Sequence, residues 1–450
     1  MIRGDIVSIL RKIFVLLMVL SFLCLPAFAE EGEHDGYIIK YRDSDKLEVV
    51  SEIPIMLFGD TSNIEYIEPD YYYELFGSEP TWNQPYIQGK MWNVENINVP
   101  AFWNAGVYGN GAKIAVIDSG VTVDDTISHA VESAVTCVSG EPLTNGGDIS
   151  GHGTNISKII ATSWGVNTVT GIAPEVKIRS YKCCKMVNGD SKVVSSAAIS
   201  ALDMAVKDGC KIVNMSFGGP SNSASLETAI NNAAAKGIIL VASVGNNGDT
   251  TLNYPAAYSS VIGVGSVNHR NLRSFFSVYN SSVFVVAPGE MIASEVKDNE
   301  DGSFGITRIS GTSFSAPTVA AMAALCLSMK PDLNHTGFEK LIAETSTDLG
   351  ETGRDNYYGY GLINGEKLLK SLFVTPTKKL ENGKTECTVY VEGVKNDDAG
   401  IVFFQTENGV KNGEFTAKDG LVTVTFSGVI PVPDRVFVWG SNLSPIKRID

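Results

Sequence analysis

Between Lys113 and Val267 the chain repeats one alternation: a short apolar run, then a longer stretch with apolar residues three and four apart. The runs are Lys113 to Asp118, Lys177 to Cys183, Lys211 to Phe217, Ile238 to Val244 and Val261 to Val267, several of them rich in Val and Ile. The longer stretches are Ser195 to Lys207 and Ser223 to Lys236, with Gly209 and Gly237 just past their ends, where a glycine closes a helix. Continuous apolar runs suit strands covered on both faces, and their alternation with helices predicts a parallel sheet inside an α/β fold. Ligands of such sheets bind beyond the carboxyl ends of the strands. Asp118, Phe217-Gly218-Gly219 and Gly245-Asn246 all fall at such ends.

The texture differs on either side of this region. From Glu30 to about Pro80, Tyr37 to Arg42 and Ile64 to Asp70 alternate like strands among polar residues and tyrosines, and Ser78-Glu79-Pro80 reads as a linker. After Ser371, the runs Thr388 to Val391, Ile401 to Phe404, Leu421 to Phe426 and Val436 to Trp439 lie between Gly, Asn and Asp turns and predict a small all-β appendage. At the start, Arg3, Arg11 and Lys12 precede the apolar run Ile13 to Leu25, and Ala27-Phe28-Ala29 fits the small-x-small rule for signal cleavage. The run is short for a bilayer span and Pro26 follows it, so export with cleavage is favoured over an anchor. Leu23, ahead of Cys24, is not the small residue that a lipoprotein signal wants.

Composition narrows the partners. The 450 residues suffice for more than one domain, and a formal net charge of −15 argues against nucleic acid. Export permits disulfides. Yet of Cys137, Cys183, Cys184, Cys210, Cys326 and Cys387, three (Cys183, Cys210 and Cys326) lie in or beside apolar patterns, where a thiol acts as a small hydrophobe. None has zinc-like spacing. Mostly free thiols are expected.

Four polar residues carry candidate chemistry. Ser313 precedes the helix-forming run Ala316 to Ala323. It reads equally as a helix cap and as a nucleophile at a helix N-terminus, where developing negative charge is favoured. A serine hydroxyl needs a base within reach, and His152 stands between Gly151 and Gly153, which leave its ring accessible. Asp118 ends an apolar strand, where an unpaired carboxylate is costly. It would either cap a turn with Ser119-Gly120 or accept the imidazole N–H. Asn246 follows a buried strand, as a turn former or as an oxyanion donor.

Ala115 to Gly120, Gly151-His152-Gly153-Thr154, Asn214 to Gly218, Gly245-Asn246 and Gly311 to Pro317 occur in that order, with Gly359 to Asn364 behind them. In these motifs, from about Trp92 to Leu369, the chain resembles the subtilisin-like serine proteases, the subtilases. The order Asp, His, Ser is that of the subtilisin arrangement. The resemblance implies a three-layer fold with a mostly parallel sheet and divides the chain into a signal peptide (1–29), a shortened inhibitory propeptide of α+β or β structure (30–80), a catalytic domain (81–371) and a β-rich extension (372–450). It makes Asp118, His152 and Ser313 a triad, with Asn246 and the Ser313 N–H as oxyanion donors. It implies a peptide bound as an extended strand between Ser191-Lys192-Val193 and Ser216-Phe217-Gly218, over a pocket floored by Ser243, Val244, Gly245 and Asn253. These segments hold no acidic residue, so a neutral, apolar preference is expected.

Departures from the family pattern are Asn155-Ile156-Ser157-Lys158 after the histidine, Phe314, Thr318, and the loop Ser163 to Thr168. That loop lacks the polar pattern of a common calcium site. No metal is assigned to the site, no cofactor is certain, and a structural calcium ion stays open. The expected product is a secreted, extracellular, monomeric serine endopeptidase, free or held at the cell surface. It would act on proteins or peptides, bind its own propeptide and be cleaved between Leu75 and Met91. The competing readings are a fold that holds peptides without cutting them and a narrow processing enzyme for one precursor.

Overall fold

The five apolar runs, with Val283–Pro288 at one edge and Val131–Thr136 at the other, build one seven-stranded parallel sheet in the order Val283–Pro288, Ile262–Val267, Ile239–Ser243, Ile212–Met215, Lys113–Asp118, Lys177–Lys182, Val131–Thr136. The computed structural model describes residues 34–42, 47–51, 63–76, 91–163, 169–297 and 304–373, and beyond them the backbone of strands between 378 and 449. The export signal and the linker at Ser78 to Pro80 lie outside the described residues.

In chain order, β1 (His34–Tyr41), β2 (Leu47–Val50) and β3 (Ile64–Leu75) form the N-terminal segment. Short helices α1 (Trp92–Asn96) and α2 (Pro100–Asn104) lead into β4 (Lys113–Asp118), β5 (Val131–Thr136) and α3 (His152–Ala161). There follow β6 (Lys177–Lys182), β7 (Cys184–Val187), β8 (Asp190–Val194), α4 (Ser195–Lys207), β9 (Ile212–Met215), β10 (Phe217–Gly218), α5 (Ala224–Ala235), β11 (Ile239–Ser243), β12 (Ile262–Val267) and β13 (Val283–Pro288). A hairpin of β14 (Ile292–Lys297) and β15 (Phe304–Ile309) precedes α6 (Thr312–Met329), α7 (His335–Thr345) and α8 (Gly365–Phe373).

Strands β9, β11 and β12 are buried at every position, as expected of strands with both faces covered. Helices α4 and α5 pack together, and so do α3 and α6. Gly209 and Gly237 end α4 and α5 with φ of 74° and 82°, a left-handed conformation that costs other residues a Cβ clash. Helix α6 is apolar and long enough to cross a membrane by composition, but 94% of that span is buried inside the protein. Its hydrophobicity belongs to the core.

The N-terminal segment is a small antiparallel sheet, β2-β1-β3, that continues into β8 and β7. Strand β3 runs on to Leu75, five residues beyond the alternation visible in the sequence. Past residue 377 the described strands β16 (Lys378–Lys379), β17 (Lys384–Tyr390), β18 (Ala399–Thr406), β19 (Gly409–Lys418), β20 (Leu421–Ser427), β21 (Arg435–Gly440) and β22 (Lys447–Ile449) form one antiparallel sheet. Three of the four runs expected there fall within these strands, and the first does so as far as Tyr390, with Val391 outside the described residues.

Candidate active site

Asp118 is the last residue of β4 and His152 the first of α3. Asp118 is fully buried, and its Oδ1 lies 2.8 Å from His152 Nδ1 and accepts the Ser119 N–H at 2.7 Å. An ionised carboxylate there holds the imidazole proton on Nδ1, which leaves Nε2 a lone pair. That Nε2 is buried and has no hydrogen-bond partner among the described residues. The Phe314 ring packs beside the imidazole, with centroids 5.6 Å apart.

A residue that sequence reasoning missed ties these two together. Asp148 accepts the Ser119 hydroxyl at 2.7 Å, the Ser150 and Gly151 N–H groups at 3.0 and 2.9 Å, and the Thr154 N–H at 2.8 Å. Ser119 Oγ in turn accepts the Gly153 N–H at 3.0 Å. The orphan donors at the start of α3 are thereby satisfied, and the helix carrying the histidine is fastened to the loop carrying the aspartate. An acid four residues ahead of a histidine that opens a helix was the available signal.

Ser313 is the second residue of α6 and is fully buried. Its hydroxyl donates to the Ser216 carbonyl at 2.8 Å and makes no bond to His152. Its main-chain N–H donates to the Phe76 carbonyl at 3.1 Å. Close by, Asn246 Oδ1 accepts both the N–H and the hydroxyl of Thr312, each at 2.9 Å. This fixes the amide's orientation, and Nδ2 keeps its donors unused among the described residues. Two donors therefore stand at the N-terminus of an 18-residue helix, where the helix dipole adds positive potential.

The two segments expected to hold a peptide both pair with the N-terminal segment. Tyr72, Tyr73 and Glu74 of β3 pair antiparallel with Val194, Val193 and Lys192 of β8, which also carries Ser191. On the other side Glu74 and Leu75 pair with Gly218 and Phe217 of β10, and the Phe76 N–H reaches the Ser216 carbonyl at 3.5 Å. The Phe76 ring is buried against Gly218, where a Cβ would come within 2.7 Å of the ring and 2.9 Å of the Tyr254 carbonyl. Tyr73 is buried against the Phe217 ring, centroids 6.0 Å apart. Ser243, Val244 and Gly245, at the end of β11, are buried, and Asn253 Nδ2 donates to the Val244 carbonyl at 2.9 Å.

The same N-terminal strand also caps two helices. Glu68 accepts the Ser223 hydroxyl at 2.9 Å and the Ala224 and Ser225 N–H groups at 2.8 Å, at the start of α5. The buried Asp70 accepts the Ser195 hydroxyl at 2.8 Å and the Ser196 N–H at 2.7 Å, at the start of α4.

Among the described residues no group of three or more His, Cys, Asp or Glu side chains is placed to hold a metal ion. Most of the loop from Ser163 to Thr168 lies outside them, but its first residue bonds the Thr126 carbonyl through N and Oγ, each at 2.9 Å. The carboxylate in that turn, Asp124, is taken up by Lys158 Nζ at 2.7 Å and by Thr126. The ammonium supplies the positive charge that a cation would bring to that carboxylate. Of the thiols, Cys183, Cys184, Cys210 and Cys326 are buried and Cys137 is half-buried, none of them in a disulfide. The side chain of Cys387 lies outside the described residues.

Residues 109–361 match the family model described as peptidase S8, the subtilase family. Subtilisin BL of Lederbergia lenta is 33% identical over 279 residues, 62% of this chain and 98% of that protein. The alkaline elastase YaB of Bacillus sp. is 34% identical over 353 residues, 76% of this chain and 87% of that protein. The minor extracellular protease Epr of Bacillus subtilis is 38% identical over 276 residues, 61% of this chain and 41% of that protein. With the match spanning more than half of its length and an acid–imidazole pair at the rim of a parallel sheet, the chain belongs to the subtilases and is a serine-type endopeptidase.

Proposed function

We propose that the protein is exported as a precursor that inhibits itself and cuts its own chain at the Phe76–Gly77 bond before acting on other proteins. One observation carries the reading: the Phe76 carbonyl accepts the Ser313 N–H at 3.1 Å, at the end of a strand laid antiparallel into the cleft. That carbonyl lies where the carbonyl of a bond about to be cut must lie to use this donor. Export is supported by the basic, apolar and small-x-small pattern at the N-terminus and by a relative whose name calls it extracellular.

In the proposed mechanism the Ser313 hydroxyl leaves the Ser216 carbonyl and turns to His152 Nε2. The imidazole takes the hydroxyl proton while Oγ bonds to the Phe76 carbonyl carbon. Asp118 holds the ring and stabilises its positive charge. The oxyanion is met by the Ser313 N–H and Asn246 Nδ2. The carbon–nitrogen bond then breaks, His152 returns the proton to the Gly77 amine, and water releases the acid from the ester by the same steps. For later substrates the buried Phe76 ring points to an aromatic or large apolar residue before the cut. Cleavage before Gly77 falls within the expected stretch between Leu75 and Met91 and narrows it to one bond.

N-terminal sequencing of secreted protein, beside Ser313→Ala, tests this. Gly77 should head the mature wild-type chain, and the variant should stay uncut after removal of its signal. A mature terminus elsewhere, or a variant processed at the same bond in a host lacking other proteases, would refute self-cleavage at Phe76.

A further inference from the structure

Strand β8 and its hairpin partner β7 place two lysines opposite one another, Lys192 and Lys185. Directly opposed like charges on an antiparallel pair destabilise it, so this face gains from an acid brought to it. The N-terminal segment brings two. Glu74 is in register with Lys192 across the cleft, and its Oε1 pairs with Lys192 Nζ. Asp35 pairs with Lys185 through Oδ2 and accepts the Tyr72 hydroxyl at 2.7 Å through Oδ1. Glu74 lies two residues before Phe76, and its pairing with both β8 and β10 fixes its register in the cleft. Lys192 is 16% exposed at the side chain, so its ammonium is held at the cleft wall rather than free in solvent.

We propose that Lys192, backed by Lys185, is a specificity-determining residue: the mature enzyme prefers peptides with a carboxylate side chain at the third residue on the N-terminal side of the cut. The proposal rests on the reading that Phe76 marks the cut. The ionic partner and the backbone register are those of Glu74, transferred to a substrate strand in the same groove. Because Glu74 is 55% exposed, the preference is modest and falls with salt.

The test uses mature wild-type enzyme and three peptides, Tyr-Tyr-Glu-Leu-Phe-Gly-Ser-Glu and the same peptide with Gln or Lys in place of its first Glu. At low salt kcat/KM should fall in the order Glu, Gln, Lys. The first step should be roughly threefold to fivefold, the size of an exposed ion pair, and most of it should vanish in half-molar salt. Lys192→Glu should reverse the order, and Lys192→Gln should flatten it. Equal rates for the three peptides, all cut after Phe, would overturn this inference and leave the cut site standing. Cleavage at other bonds would overturn the reading beneath it. The comparison of substrates on unaltered enzyme does not depend on whether either variant folds.

Discussion

Thr312 holds Asn246 by one oxygen: the backbone N–H and the hydroxyl of the first residue of α6 both donate to the amide Oδ1, each at 2.9 Å. The hydroxyl also accepts the Gly245 N–H at 3.2 Å. Thr312 is therefore a positioning residue for a donor that it does not itself supply. Asn246→Ala should lower kcat by about 10²–10³, the usual loss for such a donor, with KM little changed. Thr312→Val keeps the backbone bond and loses the hydroxyl's bonds to Asn246 and Gly245, so its loss in kcat should be smaller, about tenfold. A Thr312→Val enzyme with unaltered kcat would show that the backbone bond alone sets the amide.

Glu68 and Asp70 hold the N-terminal strand to the ends of α5 and α4 through six backbone and hydroxyl donors besides those of the cleft. Loss of a cap typically costs about 1 kcal/mol, a factor of about five in affinity. Glu68→Ala and Asp70→Ala precursors should still be cut, but the excised segment should leave the enzyme sooner. Gel filtration at intervals after cleavage checks this. Retention equal to wild type in both variants would show that the cleft contacts suffice.

Lys158 is 4% exposed at the side chain and Asp124 20%. Burial raises the Asp124 carboxyl, but the hydrogen bond from Lys158, those from Thr126 and the attraction of Lys158 together hold it below its ordinary value. A depressed carboxyl contributes stability that is present above the ordinary value, about 3.9, and is lost as pH falls through the depressed one. In a Ser313→Ala background, Asp124→Asn should destabilise the chain by about 2–4 kcal/mol at pH 7. The difference should shrink as pH falls through the depressed Asp124 value and the carboxylate takes up its proton. Urea midpoints across pH measure it, and a difference that does not vary with pH would rule out the ion pair as its source.

Cys137 stands apart from the other thiols. A hydrogen bond from Cys183 holds its pKa below the ordinary value, against its partial burial. Burial pushes Cys184 well up and Cys210 up to about 11. At pH 7.5 iodoacetamide should therefore label Cys137 first among these, read by peptide mass mapping, because the thiolate is the reactive form. Earlier labelling of Cys210 would contradict the assignment.

The sheet was legible because β4, β9, β11 and β12 are apolar at most positions, and β4 and α4 span the residues that the pattern gives them. Strand β5, with the sequence Val-Glu-Ser-Ala-Val-Thr, was not, because it is a half-exposed edge strand that carries polar residues. The last part of β3, Asp70 to Leu75, reads as polar and aromatic rather than alternating, since it pairs with a different segment along each edge. Asp148 and Thr312 act through hydrogen bonds, which leave no periodic trace. The sequence places Asp118, His152 and Ser313 at strand and helix ends. It says nothing of a side-chain rotation, which is why the Ser313 hydroxyl bonded to Ser216 could not be foreseen.

Strand β3 is paired along one edge with β1 and at its end with both walls of the cleft. Severing one peptide bond after Phe76 removes none of those pairings. On the proposed reading, covalent maturation and the onset of activity would run on two separate clocks: the first set by chemistry at one carbonyl, the second by how fast an already cut strand peels from its groove.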